Sequence, residues 1–422
     1  MLDVEEQLAR LRKRIATIDR KYVSGKPAAK RPPSNERIEN SFIEEWADGQ
    51  VVENEFGPHF QTERLFPSCK RHGSADIGTL ADLPASHLDR LSGNEIPAAD
   101  PSRWAFLDTE TTGLMGGSGT YAFLIGVGRI TPKGFSIRQY FMREYAEERS
   151  VLEALCEHLD RFDVLITYNG RSYDQPLLET RYRINRAKPP FANLAHLDLL
   201  YGARRIWKLR LPNCRLMQLE QEVLGVYREG DLPGELIPYM YFEYLRRREA
   251  QRLVPIFHHN AIDILTLACL TAIVPAAFRE TDSAALSRIG LTRGADLLGI
   301  GRWLLAASEY EKALELMKGA IAAGLPDALL FRALWDIAQT EKKLARPDGA
   351  RKTLTELASC RNEYQVRALE ELAKFYEHEQ KSYGVALELT DEALRLQPSD
   401  VLMRRRARLE RRLATSRIRR LL

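Results

Sequence analysis

The chain has 422 residues, of which 45% are hydrophobic and 28% charged, and its formal net charge is +4 at pH 7. This length exceeds what one hydrophobic core usually serves, so we expect two or three domains in a soluble globular protein. Its five cysteines are scattered and form no CxxC pair, which disfavours a disulfide framework or a zinc knuckle. The N-terminus is charged from its third residue and we find no apolar run of membrane-spanning length, so we expect a cytoplasmic protein without a membrane partner.

The first hundred residues divide into two segments. Residues 3–23 carry apolar side chains at helical spacing among many charges, which predicts an amphipathic helix. A Pro-rich basic linker follows it and completes an N-terminal segment of residues 1–35. Residues 36–100 read as short strands and turns, and we expect this extension to pack on the next domain.

Residues 101–280 predict an α/β domain. Three consecutive strands followed by alternating helices and strands are typical of a mixed central sheet flanked by helices. The predicted strands are 103–110, 121–130, 135–142, 163–169 and 196–200, and the predicted helices are 148–162, 172–184 and a late helix beginning near Asn260.

Residues 285–422 predict an all-helical region with a basic C-terminal helix. Small or apolar residues seven apart recur every 36 or 37 positions within helix-turn-helix patterns. These pairs are Ala313 with Ala320, Ala350 with Leu357, and Ala386 with Ala393. The pattern resembles the tetratricopeptide repeat, which implies a protein-binding surface. An irregular helical bundle is the alternative.

Acidic residues end the first strand of the α/β domain. Asp108 and Glu110 lie two apart in "WAFLDTETTGL", so their side chains share one face of the strand. Two carboxylates that close repel each other unless a cation lies between them. The pair is therefore either a strand fraying into solvent or half of a metal site.

Two more aspartates lie in helices that follow. Asp174 falls in the first turn of a predicted helix, and Asp263 is the third residue after Asn260, a plausible N-cap. Taken singly, each could be a structural residue at a helix start. Taken in order, the three segments read D-x-E, then N-x-x-x-D-x-P-x-L, then H-x-x-x-x-D.

These three segments carry a family resemblance. "FLDTETTGL", "YNGRSYDQPLL" and "HHNAID" are similar to the motifs of the DEDD superfamily of 3′→5′ exonucleases, which are built on the ribonuclease-H-like fold. The resemblance is greatest to a bacterial branch that joins such a domain to helical repeats. It implies that the metal ligands are Asp108, Glu110, Asp174 and Asp263.

The chemistry of that set is consistent with the resemblance. Clustered carboxylates offer the hard oxygen ligands that select Mg²⁺ or Mn²⁺. Two such ions roughly 4 Å apart can activate a water and stabilise the leaving oxygen of a phosphodiester. A histidine nearby would take the proton of the water.

Two histidines compete for that role. One branch of the superfamily places a histidine five residues before the last aspartate, which is His258 here, and the other places a tyrosine four before, which is His259 here. If the late helix begins at Asn260, both imidazoles lie in a loop and either could reach the water. If helical geometry extends back, His259 is the better placed.

Further residues are candidates for contacts with nucleic acid. Thr109 and Thr111 flank Glu110, and Tyr168 and Asn169 adjoin the second motif. A later segment interleaves cations with an aromatic residue, a composition that suits phosphate contacts and base stacking, although a solvated helix face is an equal alternative. Its candidates are Arg204, Arg205, Trp207, Lys208 and Arg210.

The sequence thus predicts a metal-dependent nuclease, acting as a 3′→5′ exonuclease on single-stranded DNA or RNA ends. Two alternatives remain open. One is a structure-specific endonuclease with the same metals. The other is a catalytically idle scaffold whose helical repeats bind a protein partner.

Overall fold

The computed structural model describes residues 42–88, 91, 96–113, 119–279 and 283–421. The predicted N-terminal helix and linker lie outside these residues. The chain forms two compact units. The sheet unit comprises the chain up to Gly202 together with Asn213–Pro275, and the helical unit comprises Ala203–Pro212 together with Ala276–Leu422.

A mixed sheet forms the centre of the sheet unit, as predicted. Its seven described strands are β1 (Gly49–Asn54), β2 (Gly57–Pro67), β5 (Trp104–Thr111), β6 (Ala122–Thr131), β7 (Gly134–Phe141), β8 (Val164–Thr167) and β9 (Ala195–Asp198), and a separate small hairpin joins β3 (Arg71–His72) to β4 (Ala75–Asp76). The seven strands run in the order β1-β2-β7-β6-β5-β8-β9, and only β5–β8 and β8–β9 pair in parallel. Because β2 pairs with β7, β1 and β2 belong to the sheet itself and do not merely pack on it.

Helices cover the sheet through apolar faces. On α1 (Glu148–Leu159), Val151, Leu152, Leu155 and Leu159 are buried at helical spacing. The other helices that begin in this unit are α2 (Asp174–Ile184), α3 (Leu199–Trp207), α4 (Leu216–Leu219), α5 (Ile237–Arg247) and α6 (Val254–Arg279), with a π-helical turn at Glu220–Leu224.

The start of α6 differs from the prediction. The helix begins at Val254, so Asn260 is not its N-cap but a fully buried residue within it. Pro255 lies in the first turn, where a missing N–H costs nothing. By length and composition the stretch Ala250–Arg279 could cross a membrane, contrary to our reading of the sequence. However, 72% of the most apolar 18-residue segment of this stretch is buried inside the protein, as in a core helix.

The helical unit consists of successive helix pairs. The residues that the sequence repeats at spacing seven are all buried, between 0% and 3% exposed, on the second helix of each pair. The described helices are α7 (Ser283–Arg288), α8 (Gly294–Ala306), α9 (Tyr310–Ala322), α10 (Asp327–Lys343), α11 (Pro347–Ala358), α12 (Gln365–His378), α13 (Tyr383–Leu396) and α14 (Asp400–Leu421). The tetratricopeptide identity of the pairs stays a prediction.

Part of the basic C-terminal run has a structural role. Glu377 on α12 is 1% exposed, and its carboxylate accepts hydrogen bonds from Arg405 at 2.7 Å and Arg408 at 2.8 Å. A buried carboxylate needs such partners, so these arginines fasten α14 to α12.

The buried His158 should make the stability of the protein depend on pH. Its Nδ1 lies 2.9 Å from the Tyr140 hydroxyl, and burial lowers the pKa of His158 to about 3, from an ordinary 6.5. Between these values the unfolded chain binds more protons, so stability falls as the pH falls. From pH 7 to pH 5 we expect His158 alone to cost about 2 kcal/mol of unfolding free energy.

His158→Gln, which can still accept a hydrogen bond from Tyr140, should remove that share of the pH dependence. Urea unfolding of both proteins at the two pH values measures the difference. An equal loss of stability in the two proteins would contradict the assignment.

Candidate active site

Four carboxylates converge near the end of β5, and we call Asp108, Glu110, Asp174 and Asp263 the acid cluster. Asp108 and Glu110 close a strand that is buried from Trp104 to Leu107 and half-buried beyond. Their side chains share one face of the sheet. The pairing of β5 with β6 becomes irregular after Glu110, so the regular sheet ends at this pair.

A glycine on β6 lets α6 lie directly on this face. Gly126 pairs with Asp108, and a Cβ atom at Gly126 would lie 2.3 Å from both Asn260 Oδ1 and Ile264 Cδ1. Glycine in a strand interior commonly marks such a close approach. The absent side chain therefore lets Asn260 reach Asp108, whose Oδ2 accepts a hydrogen bond from Asn260 Nδ2 at 2.8 Å.

Asn260 is itself oriented by a buried hydrogen-bond chain. Gln139 Nε2 donates to Asn260 Oδ1 at 2.8 Å, and Thr62 Oγ1 donates to Gln139 Oε1 at 3.0 Å. With its oxygen occupied by Gln139, the amide of Asn260 must turn its nitrogen toward Asp108. Residues of β2, β7 and α6 thus fix the orientation of one carboxylate on β5.

The other two acids come from helices. Asp174 is the first residue of α2, and its Oδ1 accepts a hydrogen bond from Thr109 Oγ1 at 2.5 Å. Asp263 lies more than two turns inside α6, so it does not cap that helix. Its Oδ1 accepts a hydrogen bond from Arg228 at 2.5 Å.

The cluster holds more negative charge than its surroundings compensate. Burial, together with the charges of Asp263 and Asp174, holds the pKa of Asp108 well above its usual range, against the opposing effects of Asn260 and Arg228. Burial and the charge of Asp108 likewise raise the pKa of Glu110 well above its usual range. Burial raises the pKa of Asp174 to about 6. The site therefore favours an added cation.

The donor chemistry of the cluster fits a divalent metal, although the side chains do not form a finished cage. Within the described part of the chain, no three His, Cys, Asp or Glu side chains are arranged closely enough to hold a metal ion. Two of the four acids are already engaged, Asp263 by Arg228 and Asp174 by Thr109. Carboxylate oxygens nevertheless suit Mg²⁺ and Mn²⁺, and a cation beside Asp108, Glu110 and Asp174 would lower their raised pKa values.

Both candidate histidines are helical, because α6 begins before them. His259 is 7% exposed, and its Nε2 lies 3.6 Å from Asp263 Oδ2. Burial alone would lower the pKa of His259, but the hydrogen bond to Asp231 and the charge of Asp263 raise it. His258 is exposed, with its Nδ1 3.3 Å from a guanidinium nitrogen of Arg64. Helical geometry thus brings His259, one turn before Asp263, to the cluster.

Sequence reasoning missed two charged residues of the site, Arg228 and Asp231. Arg228 contacts Glu220 at 2.6 Å, Asp231 at 3.1 Å and Asp263 at 2.5 Å. Both missed residues lie in "YREGDLPG", a segment without periodicity, and only the fold brings it to α6. An aspartate three residues after an arginine was the sole local signal.

The polar candidates beside the first two motifs are engaged by the protein itself. Thr111 Oγ1 donates to the Gly113 carbonyl at 2.9 Å, and the Tyr168 hydroxyl donates to the Cys214 carbonyl. Asn169 has the left-handed φ of 68°, and its N–H donates to Asp198 Oδ1 at 2.7 Å. Asp198, a further acid at a strand end, is thereby a partner of backbone amides.

The basic segment departs from the prediction at two positions. Trp207 is fully buried, so its ring cannot serve as a stacking platform. Its neighbours Ala203 and Ile206 are also fully buried and place it on the inward face of α3. Arg210 Nε donates to Asp296 at 2.8 Å, which gives it a structural partner. The exposed cations of the segment are Arg204, Arg205 and Lys208, and they belong to the helical unit.

Gly126→Ala should disturb the packing of α6 against β6 at the acid cluster. The new methyl group would have to displace Asn260 and Ile264, so we expect a loss of roughly 1–3 kcal/mol in unfolding free energy. Gly119→Ala is the matched control, since no atom of the described residues lies within 4 Å of a Cβ atom there. Denaturant unfolding measures both, and equal stability of the two variants would contradict the close approach of α6.

Comparison with known proteins agrees with this architecture. Residues 105–274, which include the whole acid cluster, match the family model RNase_H_2 of the RNase_H superfamily. The chain is also similar to the uncharacterized protein YprB of Bacillus subtilis (strain 168), with 28% identity over 361 residues that cover 84% of this chain and 85% of YprB. Residues 105–274 therefore form a ribonuclease-H-like domain, with a mixed sheet and flanking helices, and an all-helical C-terminal region follows it.

Proposed function

We propose that this chain is a metal-dependent nuclease that hydrolyses nucleic acid phosphodiesters as a 3′→5′ exonuclease on single-stranded ends. The observation that carries the proposal is the convergence of four carboxylates, from one strand and two helices, at one end of the central sheet. Membership of residues 105–274 in the RNase_H superfamily supports nucleic acid hydrolysis in general. The order and content of the three acidic motifs support the narrower 3′→5′ assignment.

The acid cluster would hold two divalent cations, Mg²⁺ or Mn²⁺. When bound, such ions supply Lewis-acid activation of a water and neutralise charge on the scissile phosphate. The chain fixes the ligands in advance: Asn260 orients Asp108, Thr109 orients Asp174, and Arg228 holds Asp263. Preorganised ligands avoid reorganisation during the reaction.

His259 is the proposed general base. The His259 side chain is buried beside Asp263. Its Nε2 lies 3.6 Å from Asp263 Oδ2, which is too far for a hydrogen bond. In this role Nε2 accepts the proton of the attacking water while the water oxygen attacks phosphorus and the 3′ oxygen of the preceding nucleotide leaves. His258, exposed and near Arg64, is the alternative base.

Substrate contacts are proposed for two groups of residues. Thr109, Thr111, Tyr168 and Asn169 adjoin the acidic residues and would border the terminal nucleotide. Tyr173, 59% exposed and one residue before Asp174, replaces Trp207 as the candidate for base stacking. The exposed Arg204, Arg205 and Lys208 would contact phosphates, and the helical pairs would bind a protein partner.

Asp108→Asn tests the nuclease assignment. The purified chain with Mn²⁺ or Mg²⁺ should shorten 5′-labelled single-stranded DNA or RNA stepwise, and the variant should lose at least about 10²-fold in rate. Because the folded-state pKa of Asp108 is raised, its charge costs stability at neutral pH, so the metal-free variant should melt higher. Added Mn²⁺ should raise the melting temperature of the wild type more than that of the variant.

Asp163→Asn is the matched control, because Asp163 is an exposed partner of Arg103 away from the cluster. Asp263→Asn should also abolish cleavage but, by removing one of the three carboxylate partners of the buried Arg228, should melt lower than wild type. Internal cuts would favour the endonuclease alternative. No cleavage and no thermal response to metal would favour the idle scaffold.

Single alanine variants separate the two histidines. His259→Ala should lower turnover by about 10²-fold or more at saturating Mn²⁺, whereas His258→Ala should cost little. Turnover measured across pH on the same labelled substrate provides the comparison. Small, equal losses in both variants would mean that neither imidazole is the base.

A further inference from the structure

The segment that carries Arg228 and Asp231 reaches the acid cluster from outside the three recognised motifs. Its anchor is Glu220, a fully buried carboxylate that accepts hydrogen bonds from Arg228 Nε at 2.6 Å and from Thr266 Oγ1 at 3.0 Å. The Arg228 side chain is 8% exposed, so its guanidinium is held between Glu220 and the site. A buried arginine with several carboxylate partners has one orientation.

Arg228 also fixes the position of Asp231. Its Nη1 donates to Asp231 Oδ2 at 3.1 Å, and the N–H of Leu232 donates to Asp231 Oδ1 at 2.9 Å. Both oxygens of this carboxylate, which is 12% exposed, thereby have a fixed donor. Asp231 is a rigid acceptor next to α6.

His259 faces that acceptor with one nitrogen and the acid cluster with the other. Its Nδ1 lies 2.9 Å and 3.0 Å from the two Asp231 oxygens, and its Nε2 lies 3.6 Å from Asp263 Oδ2. A carboxylate can only accept, so the nitrogen facing Asp231 must carry a proton. In the neutral ring the lone pair then resides on Nε2, on the side of the cluster.

We propose that Asp231 is a positioning residue that holds His259 in the tautomer protonated on Nδ1, with Nε2 presented to the acid cluster as the proton acceptor. The catalytic part of this role rests on the proposed function, whereas the tautomer can be measured without any activity. Arg228 and Glu220 support the arrangement by fixing Asp231. The same segment thus supplies the cluster with a positive charge and with the orientation of its base.

The tautomer is read by NMR on the metal-free full chain labelled with ¹⁵N-histidine, in alkaline buffer where the imidazoles are neutral. The His259 signals are those lost in His259→Ala. In the wild type, Nδ1 should give a pyrrole-type and Nε2 a pyridine-type resonance. A wild-type His259 with its proton on Nε2 would overturn the proposal, whatever the variants do.

Asp231→Ala should move both resonances toward averaged values, because the two tautomers then exchange. Asp163→Ala, which removes an exposed aspartate of the same unit, should leave them in place. An unchanged His259 pattern in Asp231→Ala would also overturn the proposal.

Kinetics on labelled single strands test the link to turnover. Asp231→Ala should lower kcat about 10- to 100-fold with little change in KM, and the Asp231→Ala, His259→Ala double variant should be no slower than His259→Ala alone. Additive losses would contradict a role exerted through His259. If the wild type cleaves nothing, the proposed function fails, while the tautomer measurement still decides the role of Asp231.

Discussion

The constraint on which the site depends is the burial of four carboxylates against one another. Each added anion raises the free energy of its neighbours, and the raised pKa values of Asp108 and Glu110 record that cost. The fold tolerates the cluster because α6 lies close on Gly126, where Asn260 can donate to Asp108. Arg228 supplies a positive charge that is hydrogen-bonded to Asp263. Stability lost in this way at a functional site is common where activity needs the strain.

Two chains of polar residues contact the acid cluster, one neutral and one charged. The chain from Thr62 through Gln139 and Asn260 carries no net charge and sets orientation alone. The chain from Glu220 through Arg228 carries charge into the site and leaves its carboxylates partly compensated. Loss of the first chain should misplace ligands, whereas loss of the second should also change the affinity for a cation.

The sequence predicted the central sheet and most of its helices because alternation and turn residues report local structure directly. It also predicted that the acids meet, but through the resemblance of the three motifs and not through helix geometry, since Asp263 lies more than two turns inside α6. The predicted start of α6 was wrong, because we assigned the N-cap to Asn260, a favourable N-cap residue. Pro255, a residue type favoured in the first turn, marks the observed start of the helix. The prediction that Trp207 stacks on a base was also wrong. Its charged neighbours suggested an exposed ring, whereas the spacing of Ala203, Ile206 and Trp207 is that of a buried helix face. Arg228 and Asp231 could not be predicted, since only tertiary contacts bring their segment to the site.

The nuclease proposal requires the acid cluster to be a metal site, and a crystal of the full chain soaked in Mn²⁺ tests that most directly. Anomalous scattering locates the ions without reference to activity. We predict Mn²⁺ bound by Asp108 together with further members of the acid cluster. Mn²⁺ found only elsewhere, with Asp263 still held by Arg228 and no ion at Asp108, would contradict the assignment of the acid cluster as a metal site.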